Sequence, residues 1–102
     1  MLFSILCLDR PDGFALRGAT RDAHLAWLDR DAAALVEAGP LLDDENRSIG
    51  SLLIVDLPDR EAAERFAAAD PYAAAELFAS VTIRPYRSVF RGGARTPVPA
   101  TA

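Results

Sequence analysis

The chain has 102 residues, 51% of them hydrophobic and 25% charged, which suits one small domain with a single core. A net charge of −4 and a pI of about 4.8 exclude the basic footprint of a nucleic-acid binder. One Cys and one His exclude an intramolecular disulfide and a usual zinc site.

Leu2–Leu8 is an apolar run interrupted at Ser4 and ended by Asp9-Arg10. It reads as a central strand. It is too short for a membrane span and lacks the basic start of a signal peptide, so a cytoplasmic protein is expected. A lone Cys fits that reducing setting. Asp9-Arg10-Pro11-Asp12-Gly13 has turn chemistry, and Phe14–Ala19 reads as a connection with at most a helical turn. Thr20 is the expected N-cap of the first long helix. Its stripe is Leu25, Leu28, Ala32, Leu35 and Val36, with Gly39-Pro40 as the stop. A second short strand then begins at Leu41-Leu42, and Asp43–Arg47 is a polar hairpin loop.

Ile49–Asp56 is the third strand and, like the first, is apolar on both sides. Pro58-Asp59 opens the second helix with Asp59 as N-cap. Ala62, Ala63, Phe66 and Ala67 form its stripe, and Asp70-Pro71 breaks it. Pro71–Leu77 suits a short helix. Val81–Phe90 is the fourth strand, where Pro85 calls for an edge or a bulge. Residues 91–102, with Gly92-Gly93, Pro97 and Pro99, read as a disordered tail after a domain of residues 1–90.

The order βαββαβ is the ferredoxin-like plan, an α+β fold. It predicts a four-stranded antiparallel sheet ordered 4-1-3-2 with helices on one face. The two-faced strands leave an apolar sheet face that needs a cover, and a second copy is the simplest one. The expected partner is therefore the chain itself, as a homodimer through that face or a higher oligomer.

The same topology gathers His24, Asp70, Gly50 and Ser51 at one end of the domain. Asp70 follows Phe66 by four residues and so points inward, where a carboxylate needs a partner. His24 can supply it, and the pair would leave one imidazole nitrogen for acid–base work. The helix N-terminus disfavours the imidazolium and the Asp70 charge favours it. Structural readings stand beside these: a satisfied polar His, and Asp70 as N-cap of the short helix. Ser51 is either a substrate contact or an ordinary strand Ser, with no G-x-S-x-G around it. Trp27 and Tyr72 either line a pocket or pack. Arg17, Arg21 and Arg84 either bind a carboxylate or are solvated. All eleven cations are Arg, which reads first as compositional bias. Cys7 is read as a small buried apolar residue. Asp43, Asp44 and Glu45 are read as a solvated turn, so no metal is expected.

Several segments together resemble the YciI-like (YCII-related) family over about residues 1–90. They are the opening strand, Arg21-x-x-His24-Leu25, Ala38-Gly39-Pro40-Leu41 and Gly50-Ser51-Leu52-Leu53-Ile54. Asp70-Pro71-Tyr72 with Leu77-Phe78, and Val81-Thr82-Ile83-Arg84-Pro85, complete the set. The resemblance implies a ferredoxin-like fold of the dimeric α/β-barrel type and a His–Asp site, here His24 and Asp70. One activity related to that family is dehydrochlorination of a chlorinated hydroxyquinol, a lyase-type reaction. The resulting expectation is a cofactor-independent enzyme acting on a small metabolite by proton transfer or elimination. His24 and Asp70 would be catalytic, and Ser51, Arg17, Trp27, Tyr72 and Arg84 would contact substrate. The alternative is a non-catalytic ligand-binding or assembly module with a structural His–Asp pair.

Overall fold

A computed structural model describes residues 1–97. Strand β1 (Leu2–Asp9) leads through a turn to helix α1 (Phe14–Arg30), and a short 3-10 turn (Ala32–Ala34) leads on to strand β2 (Leu35–Leu42). Strand β3 (Ser48–Asp56) follows, then helix α2 (Arg60–Ala68), the single turn α3 (Pro71–Ala74) and strand β4 (Phe78–Tyr86). The sheet is antiparallel throughout and ordered β2-β3-β1-β4, so the fold is α+β and ferredoxin-like. β4 is an edge strand, so Pro85, opposite Phe3, removes no ladder bond to a further neighbour.

Alternation along the central strands sets up the core. Phe3, Ile5 and Cys7 of β1 and Leu53 and Val55 of β3 are buried together with Trp27, Ala63, Ala67 and Ile83. Burying each large apolar side chain of this set contributes about 1.5–3 kcal/mol. Leu6 pairs with Leu52 and Ser4 with Ile54 on the opposite face. Leu8 and Leu52 are exposed there, as the two-faced pattern of these strands requires.

Helix α1 departs from the sequence expectation at both ends. It starts at Phe14 with Gly13 as N-cap, and Thr20 lies in its interior. The opening is set by packing: a Cβ on Gly13 would stand 2.8 Å from a methyl of Leu77 and 3.0 Å from the Arg10 carbonyl. The helix buries Arg17, His24 and Trp27, while Leu25 stays exposed. A polar buried stripe is invisible to a search for apolar periodicity. At the other end, Leu35 pairs with Val55 as a strand, and Gly39 and Pro40 lie inside β2 opposite Leu52 and Ser51. Strand pairing overrides the helical propensity of the Ala-rich run. Pro40 fits because β2 is the other sheet edge.

The second helix matches its expected start: the Asp59 carboxylate accepts from the Ala62 N–H at 2.8 Å. β4 begins three residues before Val81 and ends at Tyr86, short of the expected Phe90. Beyond it, β5 (Phe90–Arg91) and β6 (Ala94–Arg95) form a small hairpin. Gly92 and Gly93 turn it, both at positive φ, the geometry of a tight two-residue hairpin turn. Part of the expected tail thus has regular structure, and residues 98–102 lie outside the described residues. No helix among the described residues is long and apolar enough to cross a membrane.

Candidate active site

The turn after β1 and the start of α1 build the first half of the site. Asp9 ends β1, and Arg17 lies one turn into α1. Arg17 Nε donates to Asp9 Oδ2 at 2.7 Å and Arg17 Nη2 to Asp9 Oδ1 at 2.8 Å, both side chains being buried. Two parallel bonds of this kind are the strong form of an Arg–carboxylate pair. Arg17 Nη2 also donates to Ser51 Oγ at 3.0 Å, tying α1 to β3. Burial works against the Arg17 charge, but the bond and charge of Asp9 outweigh it and raise its pKa.

The second half comes from the α2–α3 junction. Asp70 is 2% exposed and caps α3, its Oδ1 accepting from the Tyr72 N–H at 2.9 Å. The same oxygen lies 2.9 Å from His24 Nδ1. With the Asp70 carboxylate ionised and accepting at the cap, Nδ1 of His24 is the donor in this pair, and Nε2 is the ring nitrogen that Asp70 does not engage. The inward carboxylate and the helix cap are thus one group with two duties. The Tyr72 ring stacks on His24 with centroids 4.1 Å apart, and Arg17 lies over the Tyr72 ring at 4.4 Å. Trp27 packs on the imidazole at 5.7 Å. A continuous stack therefore runs from Asp9 through Arg17, Tyr72 and His24 to Asp70. Burial pushes the Tyr72 hydroxyl pKa up, and the Arg17 charge beside it works in the opposite sense.

A cavity of about 320 Å³ opens against this stack, between α1 and the β2–β3 side of the sheet. Arg17, Arg21, His24, Ser48, Ser51 and Tyr72 form its polar wall, and Phe14, Leu25, Leu28 and Pro40 much of its apolar wall. That size and mixture are usual for a small-molecule site.

The structure thus brings together His24, Asp70, Ser51, Arg17 and Tyr72. It does not bring Arg84 to them: Arg84 is exposed and pairs with Ser4, on the sheet face away from the helices. Trp27 is buried behind His24 and does not line the cavity; its Nε1 has no hydrogen-bond partner among the described residues. Gly50 also stays outside the lining, and a Cβ on it would run into the Cys7 carbonyl oxygen and Leu41. Cys7 is buried in the core, and burial pushes its thiol pKa up to about 12, which makes it inert at neutral pH. Asp9 was missed. It reads as a turn residue in the sequence, and its only signal is an Arg eight positions on, across a turn whose geometry decides whether they meet.

Fold and site together describe a small α+β domain with a buried His–Asp pair on a cavity wall. The YCII-related domain matches residues 1–87, and the chain belongs to this family. It is 36% identical over 98 residues to Protein YciI of Escherichia coli, covering 88% of this chain and all of that one. An uncharacterised protein of Haemophilus influenzae is 38% identical over the same length, with the same coverage. Among solved structures, the chain is similar to 5-chloro-2-hydroxyhydroquinone dehydrochlorinase from Burkholderia phenoliruptrix, in complex with 2,5-dihydroxybenzoquinone. The TM-score is 0.80 and the identity 31%, over 86% of this chain and 95% of that one.

Proposed function

We propose that this protein is a small enzyme of the proton-transfer or lyase type, with His24 as the acid–base group and Asp70 as the residue that orients it. The observation that carries this reading is the His24–Asp70 bond on the wall of a ligand-sized cavity. Asp70 holds Nδ1, so Nε2 is the ring nitrogen left for a substrate proton. His24 takes a proton from an acidic C–H or O–H, and a leaving group departs as the electron pair moves into the substrate. Ser51 and Tyr72 border the same space and position the molecule. Similarity to a dehydrochlorinase makes 5-chloro-2-hydroxyhydroquinone the first substrate to try. With a turned-over substrate in hand, His24→Gln is expected to lower kcat by roughly 10²–10⁴-fold. Near-normal turnover in that variant sinks the mechanism.

The double duty of the Asp70 oxygen favours a second reading, a ligand-binding module whose His–Asp pair is structural. It predicts that His24→Gln lowers the melting temperature while ligand affinity stays at the parent value. The exposed apolar sheet face supports a homodimer under either reading.

A further inference from the structure

Residues 17, 21, 24 and 28 of α1 fall at i, i+4, i+7 and i+11, so one helical face presents Arg17, Arg21, His24 and Leu28 to the cavity. No Asp or Glu is among the lining residues. The Arg17 charge is already met by both oxygens of Asp9, and His24 Nδ1 is held by Asp70. Arg21 stands apart. It makes no ion pair among the described residues, and its side chain is exposed. Solvation is the ordinary fate of a surface Arg. This one, however, borders a concave site one turn from Leu25 and two turns from Leu28, in a chain whose net charge is −4. An uncompensated cation inside such a site attracts negative charge that the rest of the molecule repels. Its charge also reaches the Tyr72 hydroxyl across the cavity, where it works with Arg17 against the effect of burial.

We infer that the His24 cavity selects small organic anions, with Arg21 pairing the negative group and Phe14, Leu25 and Leu28 receiving the apolar body. The inference rests on the reading of this cavity as the substrate site and names the substrate class. Guanidinium suits either a carboxylate or a phenolate-type oxygen anion, since both present the acceptors it pairs with. The charge has a second use in a proton-abstraction step. When His24 removes a proton, negative charge builds on the substrate, and a cation already placed on the wall stabilises it.

The test uses the full chain and two matched pairs of probes: 2,5-dihydroxybenzoquinone with 2,5-dimethoxybenzoquinone, and benzoate with benzamide. The first member of each pair is ionised at neutral pH and the second is not. Calorimetric titration is expected to show a preference of roughly tenfold or more for the charged member of at least one pair, declining with added salt. Which pair responds separates oxygen-anion from carboxylate recognition. Arg21→Gln should abolish the preference, Arg21→Lys should keep part of it, and the melting temperature should not move in either variant because the side chain is exposed. Equal affinity within both pairs, no binding of either anion at millimolar concentration, or an unchanged preference in Arg21→Gln overturns the inference. His24→Gln keeps the two ideas separable. Wild-type turnover in that variant, with anion preference intact, removes the proton-transfer mechanism alone. An Arg21→Gln protein with unaltered preference, beside an inactive His24→Gln protein, removes the anion assignment alone.

Discussion

Arg17 holds three neighbours with one guanidinium: both carboxylate oxygens of Asp9, the Ser51 hydroxyl, and the face of Tyr72. None of these contacts needs substrate, and together they suit Arg17 to position the stack that carries His24. Breaking a buried pair from one side leaves a stranded charge, here that of Asp9. Arg17→Gln is therefore expected to cost about 3 kcal/mol of stability, measured by urea unfolding, and Arg17→Lys to recover only part because it lacks the planar fork. An Arg17→Gln protein within 0.5 kcal/mol of the parent, on the order of a neutral surface change, would count against this role. Asp70 differs in kind. Its one oxygen both caps α3 and bonds His24, so under the proposed mechanism its removal would damage the element and the acid–base pair together.

At the scale of elements, the central strands are where backbone approaches leave least room. Gly50 on β3 faces Leu8 of β1, and a Cβ there would stand 2.5 Å from the Cys7 carbonyl oxygen and 3.3 Å from a methyl of Leu41. The first neighbour is backbone in the middle of the sheet and cannot rotate aside. Gly50→Ala is expected to destabilise the fold by about 2 kcal/mol or more, seen as a lower urea midpoint with unchanged slope. A midpoint equal to the parent's would show that β1 and β3 can separate at this point without penalty. The helices carry a different constraint. α1 turns a partly polar face inward, and this places Arg17 and His24 against the sheet instead of in solvent.

The whole molecule has one covered sheet face and one that presents Leu2, Leu6, Leu8, Leu52 and Ile54. An apolar face of that kind suits a second copy, and we expect a two-chain mass by light scattering at micromolar concentration. Leu52→Arg should return the mass to one chain, while a monodisperse parent monomer would remove the expectation. Much of this architecture was legible beforehand. Two-sided apolarity marked β1 and β3 as central, the βαββαβ order fixed the strand sequence in the sheet, and Asp70, four residues past Phe66, pointed inward to His24. These features depend on local period and connectivity, which a sequence carries directly. The start of α1, the run of β2 through Gly39-Pro40, the Asp9–Arg17–Ser51 link and the exile of Arg84 were decided by tertiary structure alone. Each turns on which backbone or charge another segment brings alongside: an edge strand pairing with β3, a carboxylate meeting an Arg across a turn, a register that sends one side chain to the far face. Such partners are set by packing in three dimensions, so the His24–Asp70 pair could be anticipated from its residues while the wall around it could not.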